Sequence, residues 1–268
     1  MNLQLPYGRD FLSLNIPDDR LQGVLTSGLH RYKPEADQNT LVERALENPV
    51  GTSHLYELAR GKKQILLLAS DHTRPVPSRA IIPPVLRELR RGSPDADITI
   101  LIATGCHRAT TRDELCEKFG DEIVAREKIV VHDCDEAEFV NIGTLPSGGA
   151  CIINRLVMDA DLVVAEGFIE PHFFAGYSGS RKSILPGVAN RKTVLANHCS
   201  AFITSPAART GILEGNPIHA DMVWAARAAR LAFVVNAVIN EKKEAVYVVA
   251  GDMEKAHEAG CKFLSDLC

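Results

Sequence analysis

Four short stretches of this sequence are close to continuously apolar: ILLLAS (65–70), DITILIA (97–103), KIVVHD (128–133) and DLVVAEG (161–167). A strand with one face in water alternates apolar and polar residues, whereas a strand apolar along its length is covered on both faces. Such strands belong to parallel sheets, because the crossover between parallel strands lays a helix on the sheet. The intervening segments carry that helical pattern. A helix is predicted through Ser78–Arg91, and Thr111 with Glu114 three residues on forms a capping box that opens another. Further helices are predicted around Lys192–His198 and Ile218–Arg230, then strands over LAFVVNAVIN and AVYVVAG and a last helix from Met253. Near the start, LQLPYG and DFLSLNI read as two short strands about a glycine turn, and TLVERALENP as a helix ended by Pro49. The expected fold class is α/β, a mostly parallel, Rossmann-like sheet flanked by helices.

Composition narrows the function. With 268 residues, 46% hydrophobic and 24% charged, the chain reads as a globular protein, long enough for one large domain or for one and a half ordinary ones. No run approaches the roughly 18 apolar residues of a membrane-spanning helix, and the N-terminus lacks a basic segment followed by a long apolar run. Neither a membrane partner nor secretion is therefore expected. A net charge of −4 argues against general nucleic-acid binding. Seven cysteines, an odd number with no CxxC pair, point to a reducing cytoplasm with thiols used as small core residues. There is no internal repeat, low-complexity tract or linker.

The reactive residues cluster just after strand ends: Asp71 and Arg74, then His107 and Arg108, then His172. Open α/β sheets bind ligands on that edge. In SDHTRPVPS (70–78), Asp71 or Thr73 can cap the following helix, or Asp71 and Arg74 can meet an anion or a ribose; the arginine fork suits a carboxylate or phosphate. In ATGCHR (103–108), Gly105 permits a tight strand exit that leaves His107 at the ligand edge. The longest signal is EPHFFAGYSGSRKSILPG (170–187), in which Gly176, Gly179 and Gly187 bracket Arg181, Lys182 and Ser183. Small residues let backbone N–H groups face an anion. A P-loop needs a second glycine where Arg181 stands, so a nucleotide-binding transferase or NTPase is the secondary reading. NHCS (197–200) ends a helix, where His198 can favour the helix C-terminus or bind a metal. No HxxxH or CxxC supplies companion ligands, so a lone histidine ligand makes sense only if a cofactor brings the others. His132, Asp133 and Cys134 read as capping or core residues, and His30, His54, His219 and His257 have no supporting context.

Taken in order, SDHTRP, ATGCHR, EPHFFAGYSGSRKSILPG and NHCS resemble the N-terminal domain of the nickel-pincer lactate racemase family, from about residue 10 to about residue 265. The resemblance implies a racemase or epimerase of 2-hydroxy acids. Its cofactor would be a pyridinium-3,5-bisthiocarboxylic acid mononucleotide carrying nickel, supplied by dedicated biosynthetic enzymes. It implies that His198 is the protein ligand to nickel, and that Lys182 anchors the cofactor, with Asp71, Gly176, Gly179, Ser180 and Arg181 contributing to its binding. His107 and His172 are implied as the acid/base pair, and Arg74 as the partner of the substrate carboxylate. The chemistry suits these types: one histidine takes the hydroxyl proton while hydride passes to an electrophilic ring, and return to the other face needs a second base. Ser180 stands where the family usually has glycine, and Cys106 where threonine is common. Family members continue into a second domain, so residues 1–268 are expected to be the cofactor-binding catalytic domain, ending in the connecting helix near 253–268. A non-catalytic cofactor-binding module remains the further alternative.

Overall fold

The structure, a computed structural model, describes residues 1–8 and 10–268. In chain order its elements are β1 (Asn2–Tyr7), β2 (Asp10–Asn15), α1 (Gln38–Glu47), α2 (Leu55–Ala59), β3 (Gln64–Ser70), α3 (Ser78–Gly92) and β4 (Asp97–Ala103). Then come α4 (Arg112–Phe119), α5 (Asp121–Arg126), β5 (Lys128–Val131), β6 (Phe139–Thr144), β7 (Ala150–Asn154), α6 (Arg155–Asp159) and β8 (Leu162–Phe168). The chain closes with β9 (Pro171–His172), β10 (Gly176–Tyr177), α7 (Arg191–Asn197), α8 (Ser200–Ile203), α9 (Pro217–Ala228), β11 (Leu231–Ile239), β12 (Ala245–Gly251) and α10 (Met253–Leu267).

Six strands form one sheet in the order β12-β11-β8-β3-β4-β5, parallel except for the antiparallel edge strand β12. The continuous apolar runs are explained by two cores, one on each face. Ile65, Leu67 and Ala69 of β3 face Val42 of α1 and Ile81 and Val85 of α3. Leu66 and Leu68, which alternate with them, face the side of Met222 and Ala226 of α9 and Ala256 of α10. The capping box forms as its spacing requires: the Thr111 hydroxyl accepts from the Glu114 N–H, and Glu114 accepts from the Thr111 N–H at 2.8 Å.

The strand order creates the site. From β3 the chain steps to β4 and β5 on one side, then returns to lay β8 and β11 on the other. The loops that leave β3 and β8 therefore diverge, and a crevice opens above their C-terminal ends. Two features lay outside the strand-and-helix pattern of the sequence. The β6–β7 hairpin is half exposed and irregular in register, so its strands lack a long apolar run. The segment 171–177 folds as a tight antiparallel pair, with Gly176 opposite His172.

Candidate active site

A cavity of about 390 Å³ lies over the β3/β8 crevice. Its walls come from several elements and the loops between them. Ser70 and Arg74 follow β3, and Gly105, Cys106 and His107 follow β4. Glu166 and Gly167 close β8, the glycine-rich loop contributes His172, Phe174, Gly179 and Lys182, and His198 stands at the end of α7.

His107 is fixed by an aspartate. Its Nδ1 lies 2.5 Å from Oδ2 of Asp71, whose carboxylate is fully buried and whose Oδ1 accepts from the Thr73 N–H and hydroxyl. An ionised carboxylate only accepts, so Nδ1 carries the proton and Nε2 keeps its lone pair.

His172 has the reverse arrangement. Its Nδ1 accepts from the backbone N–H groups of Phe174 (3.4 Å) and Ala175 (3.2 Å), so the ring proton of the neutral imidazole sits on Nε2. Nε2 lies 3.0 Å from Nζ of Lys182, which can accept that proton's hydrogen bond only as an unprotonated amine. The electrostatics agree. Burial, reinforced by the charges of Arg181 and Arg74, lowers the Lys182 pKa to about 7. Burial and then the nearby Lys182 lower that of His172 to about 3. His198 is held neutral in the same way, down to about 4, by burial and then by Lys182. Its Nδ1 is buried with no hydrogen-bond partner, and its ring edge packs on Phe174 at 5.0 Å. Arg74 makes no hydrogen bond or ion pair through its side chain among the described residues, and lies exposed at the cavity mouth. The site thus combines two imidazoles of opposite tautomer, a lysine with its pKa lowered to about 7, a free guanidinium and a buried, unpartnered imidazole.

The family model for the lactate racemase N-terminal domain matches residues 7–211. The chain belongs to this family. It is 54% identical over 267 residues to the lactate racemase of Thermoanaerobacterium thermosaccharolyticum, covering 99% of this chain and 63% of that protein. It is 52% identical over 266 residues to the lactate racemase of Lactiplantibacillus plantarum, again covering 99% and 63%. The structure of the lactate racemase apoprotein from T. thermosaccharolyticum superposes with a TM-score of 0.92 at 53% identity, covering all of this chain and 63% of that one. A Thermotoga maritima protein at 21% identity and a TM-score of 0.68 shares the fold. The chain spans about 63% of the length of the lactate racemases it matches.

Within this lactate racemase N-terminal domain, His107, His172, Lys182, His198, Arg74 and Gly179 all line the one cavity. Four residues expected at the cofactor do not line this cavity. Asp71 lies behind His107. Ser180 gives its N–H and hydroxyl to Oδ1 of Asn236 at 2.9 and 2.7 Å. Gly176, at φ +77°, leaves no room for a side chain, since a Cβ would stand 2.3 Å from the Ile212 carbonyl oxygen. Arg181 is buried and turned inward. Its five N–H groups go to the carbonyl oxygens of Ser178, Ala175 and Tyr177, to Nε2 of His257 and to Nδ1 of His219. Its place in the motif is architectural: it ties the glycine loop into a compact turn that aims the next residue, Lys182, into the cavity. Both imidazoles that receive it are neutral, their pKa values lowered chiefly by burial, and no sequence pattern announced either. His132 is a core residue, bonded to the Ala189 carbonyl and the Asn154 amide. Asp133 accepts from the N–H groups of Asp135 and Glu136.

Sequence reasoning also passed over Glu166. It lines the cavity, is 1% exposed, and has one carboxyl oxygen with no partner. The signal was present: an acidic residue near the end of an otherwise apolar, doubly covered strand.

Proposed function

We propose that this chain is the cofactor-binding catalytic domain of a 2-hydroxy-acid racemase, acting on lactate or a close analogue with a nickel-pincer pyridinium mononucleotide. One observation carries the reading. His107 and His172, on loops that leave either side of the β3/β8 crevice, share one cavity with the unpartnered imidazole of His198. Inverting a carbon centre requires proton handling on both of its faces, and two histidines on separate loops meet that need.

The residues fit such a cofactor. His198 offers a neutral imidazole with a nitrogen that nothing in the protein satisfies, and it is the only such histidine in the cavity among the described residues. A metal there needs donors from another source, which a pincer group carries with it. Lys182 offers an amine that is substantially unprotonated near neutral pH, the form able to form a covalent anchor. When bound, the group supplies an electrophilic centre for the hydrogen leaving the substrate carbon. The protein does the rest. Arg74, with a free fork at the mouth, holds the substrate carboxylate. His107 accepts the hydroxyl proton on Nε2, and Asp71 stabilises the imidazolium that results. His172 can take the same task for the opposite enantiomer only as its other tautomer, with Nε2 free of its proton and of Lys182 and Nδ1 released by the Phe174 and Ala175 N–H groups.

The P-loop alternative is disfavoured by geometry. Lys182 and Ser183 sit in a four-residue 3-10 turn (Ser180–Ser183), and the lysine amine meets His172. All seven cysteines are free, which supports a cytoplasmic setting, and no helix among the described residues is long and apolar enough to cross a membrane. The decisive experiment is coexpression with the cofactor biosynthesis enzymes, followed by measurement of nickel per chain and of lactate enantiomer interconversion. About one nickel per chain is expected, lost in His198→Ala with circular dichroism unchanged. Wild-type protein without nickel overturns the reading.

A further inference from the structure

We infer that Glu166 is a ligand-binding residue of the cavity floor, placed to hydrogen-bond a ribose hydroxyl of the bound mononucleotide. The inference rests on the cofactor reading above and adds a residue and a subsite to it. Glu166 lies near the C-terminal end of the fully buried strand β8 beside β3, at the point where the strand order diverges. Its two carboxyl oxygens are treated very differently. Oε1 receives three hydrogen bonds, from the Ser70 N–H (3.3 Å), the Ser70 hydroxyl (3.2 Å) and the Ser78 hydroxyl (2.7 Å). Oε2 receives none, although it is buried. Lys118, the cation whose field reaches Glu166, gives its hydrogen bond to the Arg74 carbonyl oxygen at 2.9 Å. An unpaired buried carboxyl oxygen costs free energy, and three donors on the opposite oxygen hold the group in that orientation. A ligand that reaches the floor and satisfies Oε2 recovers that cost.

Depth identifies the ligand. Arg74 is exposed at the mouth, and the His107 side chain is 41% exposed, so a small hydroxy acid is held in the outer part of the cavity. Glu166, at 1%, lines the same cavity from its buried side and is met by a molecule that fills the cavity rather than one held at its mouth. Among the groups of a pyridinium mononucleotide, the ribose hydroxyls match Oε2 best. A hydroxyl both donates and accepts, so it complements the carboxyl group whether ionised or protonated. A phosphate complements only the protonated form, and burial, which raises the Glu166 pKa, does not remove the repulsion once the proton leaves.

The test is calorimetric binding of nicotinic acid mononucleotide and of its 2′,3′-dideoxy form, to the wild-type protein and to Glu166→Met. Removing the diol should weaken wild-type binding about tenfold, the size of one hydrogen bond to a carboxyl group. In Glu166→Met both probes should bind alike, and Glu166→Gln should restore part of the difference. Equal binding of the two probes by wild type overturns the inference whatever the variants do, and so does an unchanged diol preference in Glu166→Met. Failure of wild type to bind either probe overturns the cofactor reading itself, so the two failures are distinct.

Discussion

Nζ of Lys182 lies 3.0 Å from Nε2 of His172, and the backbone N–H groups on the far side of the ring fix which atom carries the proton. A neutral imidazole can serve Phe174 and Ala175 as acceptor only by presenting N–H to the lysine. The charge of Lys182 would raise the cost of protonating His172, in a site where burial already disfavours charge on both residues. Lys182→Met removes one half of this pair. The His172 pKa should rise from about 3, yet stay below 6.5 because burial, its larger cause, remains. Histidine NMR titration reads this directly, and an unmoved His172 resonance would show that the lysine does not govern the ring.

Asp71 and His107 form the complementary pair. Asp71→Asn keeps the shape but can present an amide N–H to Nδ1, which then becomes the acceptor and leaves the proton on Nε2. On the proposed function, the cofactor-loaded protein should lose about 10²–10⁴-fold in turnover, with KM for the hydroxy acid little changed. A turnover within about threefold of wild type would assign Asp71 to the turn it forms with Thr73 alone.

Much of this was legible in the sequence for a physical reason. Doubly covered strands such as 65–70 and 97–103 must be apolar throughout, so the sheet announced itself, and the polar residues that follow them marked its ligand edge. Six of the expected site residues reach the cavity, Arg74, His107 and His172 among them because they follow strand ends. What the sequence did not carry was direction. Lys182 and Arg181 are adjacent cations, and only the turn decides that one faces the cavity and the other the interior. Nor could spacing bring His219 and His257 to Arg181, since 38 and 76 residues separate them from it. The β6–β7 hairpin escaped because half-exposed strands broken by polar residues resemble loops.

Arg181 is buried without a carboxylate, held by three carbonyl dipoles and two neutral imidazoles, and burial lowers its pKa only to about 10, so it stays charged. Lysine has three donors in place of five and no planar fork. Arg181→Lys should therefore leave at least two acceptors unmet and cost about 3 kcal/mol or more. Urea unfolding measures the loss; a cost under about 1 kcal/mol would mean that the glycine loop does not depend on this residue. The neighbouring Gly179 should be equally intolerant. It has φ +126°, and a Cβ there would stand 2.5 Å from Cδ2 of His257.

Four imidazoles packed in and under the site predict how stability responds to acid. Burial holds His172 and His219 at about 3, His198 at about 4 and His257 well below 6.5. In the unfolded chain each titrates near 6.5, so below that pH the unfolded state binds more protons than the folded one. Their contribution is complete above pH 7 and is lost as the pH falls from about 6.5 through the folded values. Carboxylates with lowered pKa, such as Glu114 at about 2, act with the same sign but only below the usual carboxylate range. Lys182 also has a lowered value, and its loss is nearly complete by about pH 6. Between about pH 6 and 5 the histidines act together, opposed by Glu166 and Glu170, whose raised pKa values carry the opposite sign, so the difference made by His219→Gln isolates its ring. Urea midpoints should fall across this interval, less so in His219→Gln, and an equal fall in the variant would mean that this ring is charged in the folded protein.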